Sequence, residues 1–144
     1  MVRPWYWPRE GQPHRTEEFT WIVKNKFAAS WWPDPPVFKR YEKEGIKVII
    51  NCSEFDNKNA IPNNFKYYHI NVPDYGLPSD DQVRRFIEIT DIHGQKKEAI
   101  VAHCVAGCGR TGQFAVAWAA HNGYIPKEMD PVTVSYTHLT LPTN

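Results

Sequence analysis

The sequence predicts an α/β domain with a mainly parallel central sheet flanked by helices. Three observations carry this. Residues 46–52 (IKVIINC) and Ala99–His103 (AIVAH) are short, nearly continuous apolar runs, as strands covered on both faces should be. Helical patterns alternate with these runs along the chain. The 144 residues are 42% hydrophobic and 23% charged, an ordinary composition for one globular domain.

Each element has its own reason. Residues 1–18 are rich in Trp, Pro, Arg and Glu and read as an irregular arm laid over the core. Residues 19–23 (FTWIV) read as a short strand. Asp34 followed by Pro35 fits an N-cap with proline in the first turn of a helix. That helix turns Val37, Phe38 and Tyr41 inward and stops at Gly45. Residues 46–52 follow as a buried parallel strand, and residues 65–72 as a second, ending at Pro73. Ser79 or Asp80 caps a helix running to about Ile92, with Val83, Phe86, Ile87 and Thr90 on one face. Asp80 and Asp81 suit its first turn. Ala99–His103 is a third buried strand. Residues 104–110 make a glycine-containing loop, and 111–122 an apolar helix closed by Gly123.

Domain boundaries follow. The folded unit is expected over residues 19–133. Residues 134–144 (VSYTHLTLPTN) resemble the in-frame translation of a transposase-type sequencing-library adapter. They are read as non-native, which leaves the domain incomplete at its C-terminal end. The competing reading is a genuine short strand.

Composition excludes several function classes. Lys and Arg number 17 against 16 Asp and Glu, a net charge of +1, so no global field holds nucleic acid or an anionic membrane. No run approaches the ~18 apolar residues of a membrane span. The tryptophans Trp5, Trp7, Trp21, Trp31 and Trp32 lack interleaved basic residues and read as core cover rather than a base-stacking surface. Three cysteines, with no apolar leader in MVRPWYWPREG, point to reduced thiols in the cytoplasm, with the nucleus as the other location. No cofactor is expected. His103, Cys104 and Cys108 supply neither a C-x2-C pair nor a fourth ligand, so no metal site is expected either.

The chemistry concentrates in His103-Cys104-Val105-Ala106-Gly107-Cys108-Gly109-Arg110-Thr111-Gly112. A loop between a buried strand and a helix turns successive backbone N–H groups into a concave nest, with the positive helix end behind it. Gly107 and Gly109 permit the backbone conformations such a loop needs. The nest suits a dianionic phosphate, and Arg110 adds a bidentate grip. The same field acts on Cys104. An ordinary thiol titrates near ~8.5, and helix N-termini with nearby cations bring it to roughly 3.5–7.5. Cys104 is then a thiolate nucleophile beneath an anion site.

Cys104 and Arg110 match the C-x5-R signature of cysteine-based protein phosphatases. The longer H-C-x-A-G-x-G-R-T-G string resembles the dual-specificity and small archaeal-type tyrosine phosphatases, in element order from about residue 19 to 133. The resemblance implies a phosphoprotein phosphatase working through a cysteinyl-phosphate. It implies that Val105, Ala106, Gly107, Cys108, Gly109 and Arg110 bind the substrate phosphate. It further implies that His103 orients the loop and supports the thiolate, and that the Thr111 hydroxyl assists departure of the sulfur. Each of these two also has a bland reading, as a core histidine and a helix-entry residue. A catalytic acid is needed for the leaving oxygen. Trp32-Pro33-Asp34 spells the acid-loop tripeptide of larger tyrosine phosphatases, but it lies ahead of the first buried strand, where Asp34 is better used as a cap. Asp74, in PDYGLPS at the end of a strand and 30 residues before Cys104, is the chosen acid. Gly76 and Pro78 suit a closing loop, and Tyr75 is either cleft wall or packing.

No residue from 105 to 109 is basic, which disfavours phosphoinositide head groups and RNA 5′-phosphates and leaves a phosphoprotein as substrate. A monomer is expected. Cys52 ends a buried strand near the site and is a redox partner for Cys104 or simply a small core residue; Cys108 ranks below it. The alternative function is a non-catalytic phosphopeptide-binding module.

Overall fold

The computed structural model describes residues 19–73, 77–105 and 109–124, with only the backbone of Gly109. The expected arm (1–18), Asp74, Tyr75, Gly76, Ala106, Gly107, Cys108 and the expected tail (134–144) lie outside the described residues.

Nine elements follow in order: β1 (Thr20–Val23), β2 (Phe27–Ser30), α1 (Pro35–Glu44), β3 (Ile46–Asn51), a 3-10 turn (Lys58–Ala60), β4 (Lys66–His69), α2 (Asp80–Gln95), β5 (Ala99–His103) and α3 (Gly109–His121). The sheet order is β1-β2-β5-β3-β4. The β1–β2 pair is antiparallel, and the β2–β5, β5–β3 and β3–β4 pairs are parallel. The α/β architecture with a mainly parallel sheet is therefore as the sequence predicts.

The sheet separates two cores. One face carries Phe27, Val48, Ile50, Ile100 and Ala102 against Phe86, Phe114, Ala115 and Trp118 of α2 and α3. The other carries Ala28, Ile49 and Val101 against Val37, Phe38 and Tyr41 of α1. The period-2 alternation of each strand decides which residue goes to which core. β5 lies in the middle and is buried along its whole length.

Helix ends are set by local chemistry. The Asp34 carboxylate accepts from the Val37 N–H (3.1 Å), and Gly45 closes α1 in the left-handed region at φ 85°. Ser79 is the residue that caps α2, in a reciprocal capping box with Gln82, and Asp80 and Asp81 occupy the first turn. In the last turn of α2, His93 bridges Glu98 Oε1 and Tyr68 Oη, each at 2.7 Å, tying the helix to β4.

One strand and several boundaries differ from the sequence reading. β2 is absent from it: Phe27–Ser30 (FAAS) has two alanines, no β-branched residue and only four positions. Burial against β5, rather than propensity, makes it a strand. β4 ends at His69 rather than 72, because after Ile70 N–H donates to Asn51 O (2.8 Å) the neighbouring strand has ended. α2 runs past Ile92 to Gln95, and α3 begins at Gly109 instead of Thr111.

Phe27 is fully buried, stacked on Trp118 (4.9 Å) and edge-on to Phe86 (5.9 Å). Phe27→Ala is expected to lower the unfolding free energy by about 3–5 kcal/mol in urea titration. A loss below about 1 kcal/mol would show that β2 is not an anchor of this core.

Candidate active site

The parallel registers bring the strand ends into one row: Ser30 beside His103, His103 beside Asn51, and Asn51 beside His69. The segments leaving this edge are the ones that carry candidate chemistry, as expected at the carboxyl ends of an open α/β sheet. Cys104 leaves β5 here and is 1% exposed. Five residues later α3 begins, so Cys104 belongs to the segment that joins the central strand to a helix N-terminus.

His103 is fully buried, and burial holds its imidazole down at about 4, so it is neutral at neutral pH. Its Nδ1–H donates to the backbone carbonyl of Cys104 (3.3 Å). Nε2 has no partner among the described residues. The Trp32 ring meets the imidazole edge-on at 5.5 Å. Thr111, in the first turn of α3, is likewise fully buried with no hydrogen-bond partner for Oγ1 among the described residues.

Arg110 is the clearest feature that sequence could only half anticipate. Its guanidinium is buried, and Nη1 donates to Glu54 Oε1 (2.7 Å) and to the Val72 carbonyl (3.0 Å). Fixing one nitrogen on two acceptors sets the plane of the whole fork. Glu54 is a site residue the sequence reading missed. The available signal was an acidic residue just after a buried strand of a parallel sheet, at the edge where sites form.

The loop carrying Glu54 is pinned. Asn51 Oδ1 accepts from the Ser53 N–H (2.9 Å) and Ser53 Oγ (2.8 Å), and Asn51 Nδ2 donates to the Phe55 carbonyl (2.6 Å). Tyr67 Oη donates to Asp56 (2.8 Å), and burial pushes that hydroxyl up to about 12, so it remains a donor. Asp56 in turn is held below the usual carboxylate range, first by this Tyr67 bond.

Cys52 sits one residue past the Asn51–His103 register pair, and its N–H donates to the His103 carbonyl (2.7 Å). It is fully buried and in no disulfide among the described residues. Burial raises the Cys52 thiol well above its ordinary value, and the nearby Cys104 raises it further, against an opposing effect of Arg110. The fold thus gathers His103, Cys104, Arg110, Thr111 and Cys52 at one edge. Val105 is described and exposed, and Gly109 opens α3. Asp74, Ala106, Gly107 and Cys108 are outside the described residues, although Val72, two positions before Asp74, lies on Arg110. Asp34 is spent as the α1 cap. Among the described residues no group of three His, Cys, Asp or Glu could hold a metal, and no helix is long and apolar enough to cross a membrane.

A buried cysteine at the end of the central strand thus stands six residues before an arginine fixed in the first turn of α3. Comparison with known proteins gives the family. Residues 31–124 match the family model described as "Polymorphic toxin system, DSP-PTPase phosphatase". The chain is 32% identical over 118 residues to the human dual specificity protein phosphatase CDC14A, covering 70% of this chain and 19% of that protein. It is 26% identical over 117 residues to the tyrosine-protein phosphatase cdc-14 of Caenorhabditis elegans, covering 70% of this chain and 16% of that one. It therefore spans about a fifth of the length of these relatives. The fold is similar to crystal structures of Tk-PTP in the active form (TM-score 0.69, 17% identity, 84% of this chain and 83% of that one) and of DUSP15 (TM-score 0.66, 13% identity, 83% and 74%). This chain belongs to the DSP-PTPase phosphatase family, as its loop motif implied.

The buried neutral His103 gives a pH signature. An unfolded histidine titrates near ~6.5, so as pH falls below that the unfolded chain takes up a proton the folded chain refuses. Stability is fully present above ~6.5 and is lost as pH falls toward about 4, by about 3 kcal/mol. Urea midpoints between pH 7 and 4.5 should show this loss, and His103→Gln should flatten it. An unchanged slope in the variant would place the titration elsewhere.

Proposed function

We propose that this domain hydrolyses phosphate monoesters on proteins through a cysteinyl-phosphate on Cys104. The observation that carries the reading is the Arg110 guanidinium, anchored to Glu54 and Val72 at the edge where buried Cys104 leaves the central strand. In the proposed reaction the Cys104 thiolate attacks phosphorus. The P–O bond to the protein side chain breaks, and the departing oxygen takes its proton from Asp74. Asp74 then accepts a proton from water, which attacks the cysteinyl-phosphate. Phosphate leaves and the thiolate returns, with the Thr111 hydroxyl supporting the developing negative charge on sulfur. Backbone N–H groups of 105–109 and the Arg110 fork hold the equatorial oxygens, where charge is greatest in the transition state. His103 acts as a neutral positioning residue, through its bond to the Cys104 carbonyl.

What supports Asp74 is its tether: two residues after the Val72 carbonyl, its Cα can lie no more than about 7–8 Å from that of Val72. What supports a phosphoprotein substrate is the absence of a basic residue from 105 to 109. The expected setting is the cytoplasm or nucleus, with the protein acting as a monomer.

Hydrolysis of a small aryl phosphate, inhibited by vanadate, tests the reading. Cys104→Ser is expected to abolish turnover while retaining phosphopeptide binding. Asp74→Asn is expected to reduce kcat by about 100-fold or more with little change in phosphate affinity. Binding without turnover in the unmutated protein would assign the domain instead as a non-catalytic phosphopeptide module.

Cys52 is proposed as the redox partner of Cys104. Peroxide converts the Cys104 thiolate to a sulfenic acid, and the Cys52 thiol displaces water from it to form the disulfide. What supports the pairing is that Cys52 and Cys104 each directly follow a residue of the Asn51–His103 register pair, and that the Cys52 N–H donates to the His103 carbonyl (2.7 Å). Peptide mapping after mild peroxide should recover a Cys52–Cys104 bridge and activity restored by dithiothreitol. Finding only over-oxidised Cys104 would remove Cys52 from this role.

A further inference from the structure

We propose that Trp31, Phe55, Leu77 and Val105 form an apolar rim that selects phosphopeptides carrying apolar side chains beside the phosphoresidue. The proposal rests on the phosphatase reading above and names its substrate class.

Five large hydrophobic side chains are exposed among the described residues: Trp31 (38%), Phe55 (58%), Leu77 (76%), Val105 (42%) and Ile92 (52%). Exposed apolar residues scattered singly need no explanation. Here four of the five lie in the segments that leave β2, β3, β4 and β5 at one edge, and only Ile92 lies elsewhere, on α2. That edge is the one holding the nucleophile. Val105 follows Cys104 directly. Phe55 follows Glu54, which holds Arg110.

Three of the four are displayed from anchored backbone. The Trp31 carbonyl accepts from Ser30 Oγ (2.8 Å), which itself accepts from the buried Tyr41 hydroxyl (2.6 Å). The Phe55 carbonyl accepts from Asn51 Nδ2 (2.6 Å), and its N–H donates to Ser53 Oγ (3.2 Å). The Val105 carbonyl accepts from the Trp32 N–H (3.4 Å). A fixed apolar surface binds with less ordering cost than a mobile one.

Its occupant is identified by continuity and by charge. A phosphate seated over Cys104 puts its parent chain across the row β2-β5-β3-β4, which is about 15 Å wide at ~4.8 Å per strand. An extended peptide advances about 3.3–3.6 Å per residue, so one or two residues on each side of the phosphoresidue reach the rim. Residues 105–109 offer no cation to a second anionic group. Apolar neighbours therefore match this surface, and acidic ones do not.

The test uses the full chain and three peptides built on one phosphotyrosine, flanked by Leu and Phe, by Ala, or by Asp. The apolar-flanked peptide is expected to exceed the Asp-flanked one by about tenfold in kcat/KM. Phe55→Ser, alone and with Trp31→Ser, should bring that ratio toward one while leaving p-nitrophenyl phosphate turnover and Tm unchanged. Equal rates for the three peptides, or a ratio untouched by the variants, would overturn the rim. So would a Tm drop of several degrees without any change in ratio, since that means the chain covers these side chains itself. Peptide Kd values on the Cys104→Ser protein, read by fluorescence anisotropy, report the same ranking independently of turnover. Absent p-nitrophenyl phosphate hydrolysis with the ranking intact in Kd would refute the phosphatase reading and support the rim.

Discussion

The Arg110 guanidinium is the point on which the site depends. One nitrogen joins the first turn of α3 to the Glu54 carboxylate after β3 and to the Val72 carbonyl after β4. Segments far apart in sequence are thereby fixed around a single cation. A buried guanidinium is tolerated only when its donors are satisfied and its charge is opposed. Glu54 is the group that opposes it, and the loop from Asn51 to Asn57 exists in a form that delivers Glu54 there. Tyr67 and Asn51 supply the bonds that hold that loop, so hydrogen bonds to β4 fix the segment whose Glu54 carboxylate receives the Arg110 guanidinium.

The remaining electrostatics follow from burial. Two thiols and an imidazole lie together at the end of the central strand with little solvent. Each titratable group responds in the direction desolvation dictates. His103 is kept neutral and Cys52 is kept protonated. Neither competes with Cys104 for the favourable field of the α3 N-terminus and Arg110. In the proposed reaction, these neutral neighbours leave the positive elements of the site to act on the Cys104 sulfur.

The surface around this centre differs in character from its floor. The floor is polar and buried, and His103 Nε2 and Thr111 Oγ1 have no partner there among the described residues. The mouth proposed above is apolar, and three of its four side chains stand on hydrogen-bonded backbone. In that reading, recognition of the phosphate and of what surrounds it falls to different residues.

Much of this was legible in the chain alone. The ten-residue string from His103 to Gly112 pointed to the phosphatase family because the chemistry of a phosphate nest needs those residue types at that spacing. Asp34, Gly45 and Ser79 marked helix ends because capping is local. β3 and β5 read as buried strands because a strand covered on both faces must be continuously apolar. What tertiary structure decided was non-local. Phe27–Ser30 became a strand only because β5 lay beside it, and four residues with two alanines carry no such signal. Glu54 became a site residue only because the β3–β5 register sets its loop beside α3. That Cys52 follows Asn51 beside His103, the residue before Cys104, likewise comes from strand order and register. Local propensity and spacing are written along the chain, whereas strand order and register depend on which buried faces fit together, and no short window of sequence contains both partners.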